Sequence, residues 1–177
     1  GLLLSVFITA DSARAESQEE MIAYLQAQGV ISTYGWGPLK ARIDHLISQL
    51  INYSGKVFAV YPARSMSELS ARAGGFILLN ISSMAQNNSV LAHRLAHEWG
   101  HLVLGHQPSI YMPFGRPFSI RTGDTDDEDD ADIYGAQFMA EYNYDIKPLL
   151  DDLKRNFPAA AGDTHSTGSR RAEIVEK

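Results

Sequence analysis

Cysteine does not occur in the 177-residue chain. Disulfide scaffolds, thiolate metal sites and cysteine nucleophiles are thereby excluded, while the redox compartment stays open because a cysteine-free chain persists in either. Basic residues are also in short supply: 15 Lys and Arg stand against 21 Asp and Glu, giving a net charge of −6 and a pI near 5.4. That balance argues against a nucleic-acid binder, whose electrostatic footprint is a basic face. No stretch approaches the roughly 20 consecutive apolar residues of a membrane-spanning helix. Repeats and low-complexity linkers are absent as well. What is present is a hydrophobic fraction of 45% and a charged fraction of 20%, the composition of an ordinary globule in a chain long enough to bury one core without staples.

The apolar run Leu2-Leu3-Leu4-Ser5-Val6-Phe7-Ile8-Thr9-Ala10 precedes Ala13-Arg14-Ala15, a small-x-small pattern that suits signal-peptide cleavage. Residues 1–15 are therefore expected to be the remnant of an export signal, directing the protein to the periplasm or outside the cell. If the run is instead a first strand, the protein is cytoplasmic. Residues 16–177 read as one domain. Helices are expected over 16–28, ending at Gly29, and from Pro38 to about Asn52, where Leu39, Ile43, Leu46, Ile47 and Leu50 have the three-four spacing of a buried stripe. Strands are expected over 57–61, closed by Pro62, and over 75–81, with a polar connection between them. Further helices follow over about 89–106, 127–142 and 147–157, with a loop over 108–125 and a last short helix after Ser166. Val90, Leu91, Leu95, Leu102, Val103 and Leu104 supply core positions. This order of helices, small sheet and helices gives an α+β fold.

The chemical signal is His97-Glu98-Trp99-Gly100-His101. On a helix, residues four apart lie on one face, so both imidazoles can reach one metal ion. Zinc lowers the pKa of a bound water towards ~7, and the glutamate beside the first histidine can take its proton. The surrounding residues are apolar or uncharged, and buried histidine and glutamate need partners, which a metal provides. A third protein ligand is required, and without cysteine it must be His, Asp or Glu. The acidic run Asp124, Asp126, Asp127, Glu128, Asp129, Asp130 and Asp132 offers it. Glu128 is the first choice, with Asp132 one turn later able to hydrogen-bond a ligand imidazole. A shifted register would make Asp124, Asp129 or Asp130 the ligand, and other members suit a solvated helix start. His93 is expected to be a capping or surface residue, His106 structural because five residues place it at another helix angle, and His45 exposed.

The segment Leu95-Ala96-His97-Glu98-Trp99-Gly100-His101-Leu102-Val103-Leu104-Gly105-His106 resembles the active-site helix of M48 family metallopeptidases. Glu128-Asp129-Asp130-Ala131-Asp132-Ile133-Tyr134-Gly135 resembles their E-x-x-A-D-x-x-G segment, and Asp163-Thr164-His165-Ser166-Thr167 with Arg170 and Arg171 resembles their C-terminal motif, although Ser166 stands where the family has proline. The interval between His101 and Glu128 is short, so the closer comparison is with the compact, soluble minigluzincin members. The resemblance covers about residues 55–177. It implies a zincin-like domain, mostly helical with a small sheet above the active-site helix, and makes residues 16–177 a metallopeptidase domain. It selects Glu128 as third ligand beside His97 and His101, with one zinc ion per chain, and Asp132 as the orienting carboxylate. It gives His165 and Arg171 catalytic roles beside Glu98, Arg170 being the alternative to Arg171, and makes residues 75–80 the strand that pairs with an extended protein or peptide substrate. A zinc endopeptidase follows as the expectation. A non-catalytic or self-inhibited binding or chaperone-like protein, and a zinc hydrolase acting on other bonds, are the alternatives.

Overall fold

A computed structural model of the chain describes residues 18–64, 70–73, 75–80, 87–106, 110–111, 119–120, 125–156 and 167–177. The expected export segment and His165 lie outside the described residues. Helix α1 (Gln18–Ala27) leads through a 3-10 turn at Gly37–Leu39 to α2 (Lys40–Ser54). Strands β1 (Ala59–Ala63), β2 (Ser70–Ala73) and β3 (Phe76–Asn80) precede α3 (Asn88–Leu104). The short strands β4 (Ile110–Tyr111) and β5 (Ser119–Ile120) come next, then α4 (Thr125–Glu141), α5 (Lys147–Asn156) and α6 (Gly168–Val175). The chain is mostly helical with one small sheet, as α+β requires. Among the described residues no helix is long and apolar enough to cross a membrane.

The sheet has the order β1-β3-β2-β4-β5. β3 is fully buried along its length, and the pleat divides its side chains between two layers. Phe76 and Leu78 pack with Leu25, Val30, Ile31 and Ala63 on the α1 side. Ile77 and Leu79 face the larger core, built from Ile43, Leu46 and Leu50 of α2, Leu91, Leu95 and Trp99 of α3, and Phe138 of α4. Each such side chain contributes ~1.5–3 kcal/mol by leaving water. The sheet and α2 thus hold α3 from one side, and α4 closes it from the other. Every residue from Ser89 to His101 is buried, so α3 carries its polar side chains inside the protein.

Three details fix where α3 sits. The Asn87 side chain caps its first turn by accepting from Ser89 N–H at 2.8 Å. Trp99, fully buried, donates from its indole nitrogen to Ser54 Oγ at 3.0 Å and meets Phe58 edge-on. Against α4 the approach is close because each helix offers a glycine at the crossing. A Cβ on Gly100 would stand 2.9 Å from the Tyr134 ring, and one on Gly135 would stand 2.9 Å from His93 Cδ2. Finally, Met139 of α4, Leu149 and Leu153 of α5, and Ala172 and Val175 of α6 form a third cluster, which pins α6 to the outer face of α4.

The structure departs from the sequence expectations at five places. The expected loop over 108–125 contains the short antiparallel strands β4 and β5, whose pairing is not visible in local composition. Pro62 lies inside β1 rather than closing it; its carbonyl accepts from Ser32 N–H at 2.7 Å, and an edge strand tolerates a residue that cannot donate to the ladder. The polar connection before residue 75 contains β2, antiparallel to β3. β3 therefore has partners on both sides, β1 and β2, and the expected substrate-pairing role of residues 75–80 falls, since its backbone groups are already engaged. Leu104, expected in the core, is 48% exposed at the last residue of α3.

Candidate metal centre

Within α3, the 3.6-residue period carries His97 and His101 to the side facing α4, where their Nε2 atoms stand 3.1 Å apart. The first turn of α4 is acidic, with Asp126, Asp127 and Glu128, a favourable placement at a helix N-terminus. Of these, Glu128 turns inward and is 2% exposed. Its Oε2 lies 3.1 Å from His97 Nε2 and its Oε1 3.5 Å from His101 Nε2. One donor atom from each of His97, His101 and Glu128 falls within 4.8 Å of the others.

These separations suit a metal. Ligands at about 2.0–2.1 Å in a tetrahedron stand roughly 3.4 Å from each other, close to the spacings found here. The donor chemistry agrees: two imidazole nitrogens and a carboxylate converge with their lone pairs, and a cation at their common point relieves the crowding of like dipoles. The group could bind a metal ion.

The environment of His97 settles its tautomer. Its Nδ1 donates to Asp132 Oδ1 at 2.9 Å, which leaves Nε2 facing the ligand cluster. Asp132 is fully buried and is gripped by Arg171 in bidentate fashion, Nε to Oδ2 and Nη2 to Oδ1, both at 2.7 Å. Burial alone would raise the Asp132 pKa, but the Arg171 guanidinium and the His97 ring hold it well below the usual carboxylate range. Burial likewise works against a charge on His97; the hydrogen bonds it donates to Asp132 and Glu128 outweigh it and raise its pKa to about 9. The carboxylates that favour a proton on His97 also favour a metal cation, and the two compete for the same nitrogen.

Glu98, adjacent to His97, is 7% exposed on the same turn. Arg171 has its guanidinium on Asp132, so it reaches the ligands through Asp132 and His97. Arg170 instead meets Asp129 at 3.0 Å near the surface. The structure thus brings together His97, His101, Glu128, Asp132 and Arg171, with Glu98 next to His97 in the chain and near enough to Arg171 to favour its charge, while His165 lies outside the described residues. Asp129 and Asp130 are not in the cluster of ligand atoms; Asp124 lies outside the described residues.

Two histidines differ from their expected standing. His93, expected at a cap or the surface, is 1% exposed, sealed against Gly135 with Nε2 3.7 Å from Asp132 Oδ1. Burial depresses its pKa to about 3. His106 lies over His101 with Nδ1 to Nδ1 at 2.8 Å. His45 is exposed. The signal that could have found His106 is Gly105, which stops the helix and turns the next residue back. No protein-family model matches the chain, and no curated protein matches it.

Proposed function

We propose that the chain is a zinc-dependent endopeptidase with a zincin-like fold, similar to compact soluble members of the M48 family. The observation that carries this reading is the convergence of His97 Nε2, His101 Nε2 and the Glu128 carboxylate with Glu98 on the same buried helix turn. Zinc, when bound, supplies Lewis acidity, which acidifies water and polarises a carbonyl. His97, His101 and Glu128 hold it. Glu98 accepts the proton of the attacking water and returns it to the leaving amine. Asp132, fixed by Arg171, keeps the His97 ring in the ligating tautomer.

Recognition of an extended peptide through main-chain hydrogen bonds follows backbone shape, so unfolded proteins are the suited substrate class. The test is zinc analysis together with cleavage of casein by wild type and by Glu98→Gln. The reading requires zinc in both proteins and hydrolysis by wild type alone. Zinc with no hydrolysis by wild type would favour a binding protein on this fold, and hydrolysis surviving Glu98→Gln would remove the proposed base.

A further inference from the structure

His97 is oriented by Asp132, and the second histidine ligand has another histidine in the corresponding place. Its Nδ1 meets His106 Nδ1 at 2.8 Å, and His106 Nε2 lies 3.5 Å from Asp127 Oδ1. We propose that His106 and Asp127 are positioning residues for the metal centre, a His101–His106–Asp127 chain that sets the tautomer and ring angle of His101. The inference rests on the metal reading above.

Proton bookkeeping fixes the direction of the chain. His101 Nε2 points into the ligand cluster and must offer a lone pair there, so the ring's hydrogen sits on Nδ1. That hydrogen needs an acceptor, and His106 Nδ1 is placed to be one. The hydrogen of His106 then sits on Nε2, on the side of the Asp127 carboxylate, whose Oδ1 at 3.5 Å is a charge contact longer than a hydrogen bond. The short Nδ1–Nδ1 contact holds His101 in one tautomer. The backbone enforces the same geometry. Gly105 adopts φ 77°, a left-handed conformation that ends α3. The chain doubles back so that His106 N–H donates to the carbonyl of His101 itself at 2.9 Å. The residue whose ring touches His101 is thus also tied to His101's main chain. The His106 side chain is only 10% exposed, which keeps water from replacing it as the acceptor. Asp127 precedes the ligand Glu128, so one helical turn supplies the third ligand and the outer end of this chain.

The experiment measures zinc dissociation constants by chelator competition, and thermal unfolding of the metal-free proteins, for wild type, His106→Phe, His106→Gln and Asp127→Asn. His106→Phe keeps a ring but loses the acceptor, and zinc affinity should fall by ~10–100-fold. His106→Gln offers a carbonyl to His101 Nδ1 and should recover part of the loss. Asp127→Asn should weaken zinc by a smaller factor, and the metal-free melting temperatures should stay near wild type. Unchanged zinc affinity in His106→Phe, or a lower metal-free melting temperature that His106→Gln fails to separate from zinc loss, overturns the inference while leaving the metal reading intact. A wild-type protein that takes up no zinc overturns both.

Discussion

Replacing Gly100 by alanine tests whether the crossing of α3 and α4 sets the ligand geometry. Taken alone, the change should help: alanine is favoured over glycine in a helix interior by about 1 kcal/mol. The structure reverses the sign. The new Cβ would lie 2.9 Å from Cγ and Cδ1 of Tyr134 and 3.0 Å from its Cβ. Carbon contacts become favourable near ~3.5 Å, so the helices must part by ~0.6 Å. Rotating the Tyr134 ring cannot relieve the contact with its own Cβ. Overpacking of this kind costs about 1–3 kcal/mol, which leaves a net destabilisation of ~0–2 kcal/mol after the gain in helix propensity. The larger consequence falls on the metal site, because His97 and His101 are on α3 and Glu128 is on α4. Metal-ligand distances tolerate about 0.2 Å, so a parting of ~0.6 Å should weaken zinc by tenfold or more. Urea unfolding and chelator competition read the two effects separately. Adding Tyr134→Ala to Gly100→Ala removes the two ring contacts and should restore part of the affinity. A Gly100→Ala protein more stable than wild type with unchanged zinc affinity would refute the reasoning.

Two further outcomes follow from the buried charges. Asp132→Asn leaves the Arg171 guanidinium buried without its counter-charge and should cost ~3–5 kcal/mol; adding Arg171→Met should recover stability but not zinc affinity, a contrast that chemical denaturation and chelator competition resolve. His93 has a folded pKa of about 3, below the ordinary ~6.5. Its contribution is therefore complete above pH ~6.5 and is lost as pH falls towards 3, by up to ~1.4 kcal/mol per unit. His97, raised to about 9, is nearly silent below pH 6 because it is protonated in both states. Urea midpoints of metal-free protein at about pH 6 and about pH 4.5, a window in which His97 is nearly silent, should show this acid loss in wild type and a flatter profile in His93→Gln; equal slopes would contradict it.

The ligand pair was legible in the sequence because a spacing of four and a helical period leave one arrangement for His97 and His101. Glu128 was less so. Several acids stand beside it; it is the first choice with Asp132 one turn later, and the resemblance of residues 128–135 to a known motif selects it over Asp124, Asp129 and Asp130. What escaped the sequence has a physical cause in each case. His106 was placed by continuing the helix five residues beyond His101, but Gly105 ends the helix and reverses the chain, so the extrapolated angle does not apply. His93 looked like a surface residue because a polar side chain one turn from the motif carries no sign of burial; the cover comes from α4, far away in sequence. β2 contains Ser70-Ala71-Arg72-Ala73, without the alternation of large apolar residues that marks a strand, and its identity comes from pairing with β3. The pairing of β3 on both sides escaped the sequence for the same reason: strand order is a property of long-range pairing, not of local composition.

The most direct measurement is a crystal structure of zinc-loaded protein with anomalous data collected at the zinc edge. The account predicts one anomalous peak per chain, at about 2.0–2.2 Å from His97 Nε2, His101 Nε2 and a Glu128 oxygen. A peak elsewhere, or none beside these three side chains at saturating zinc, would contradict it.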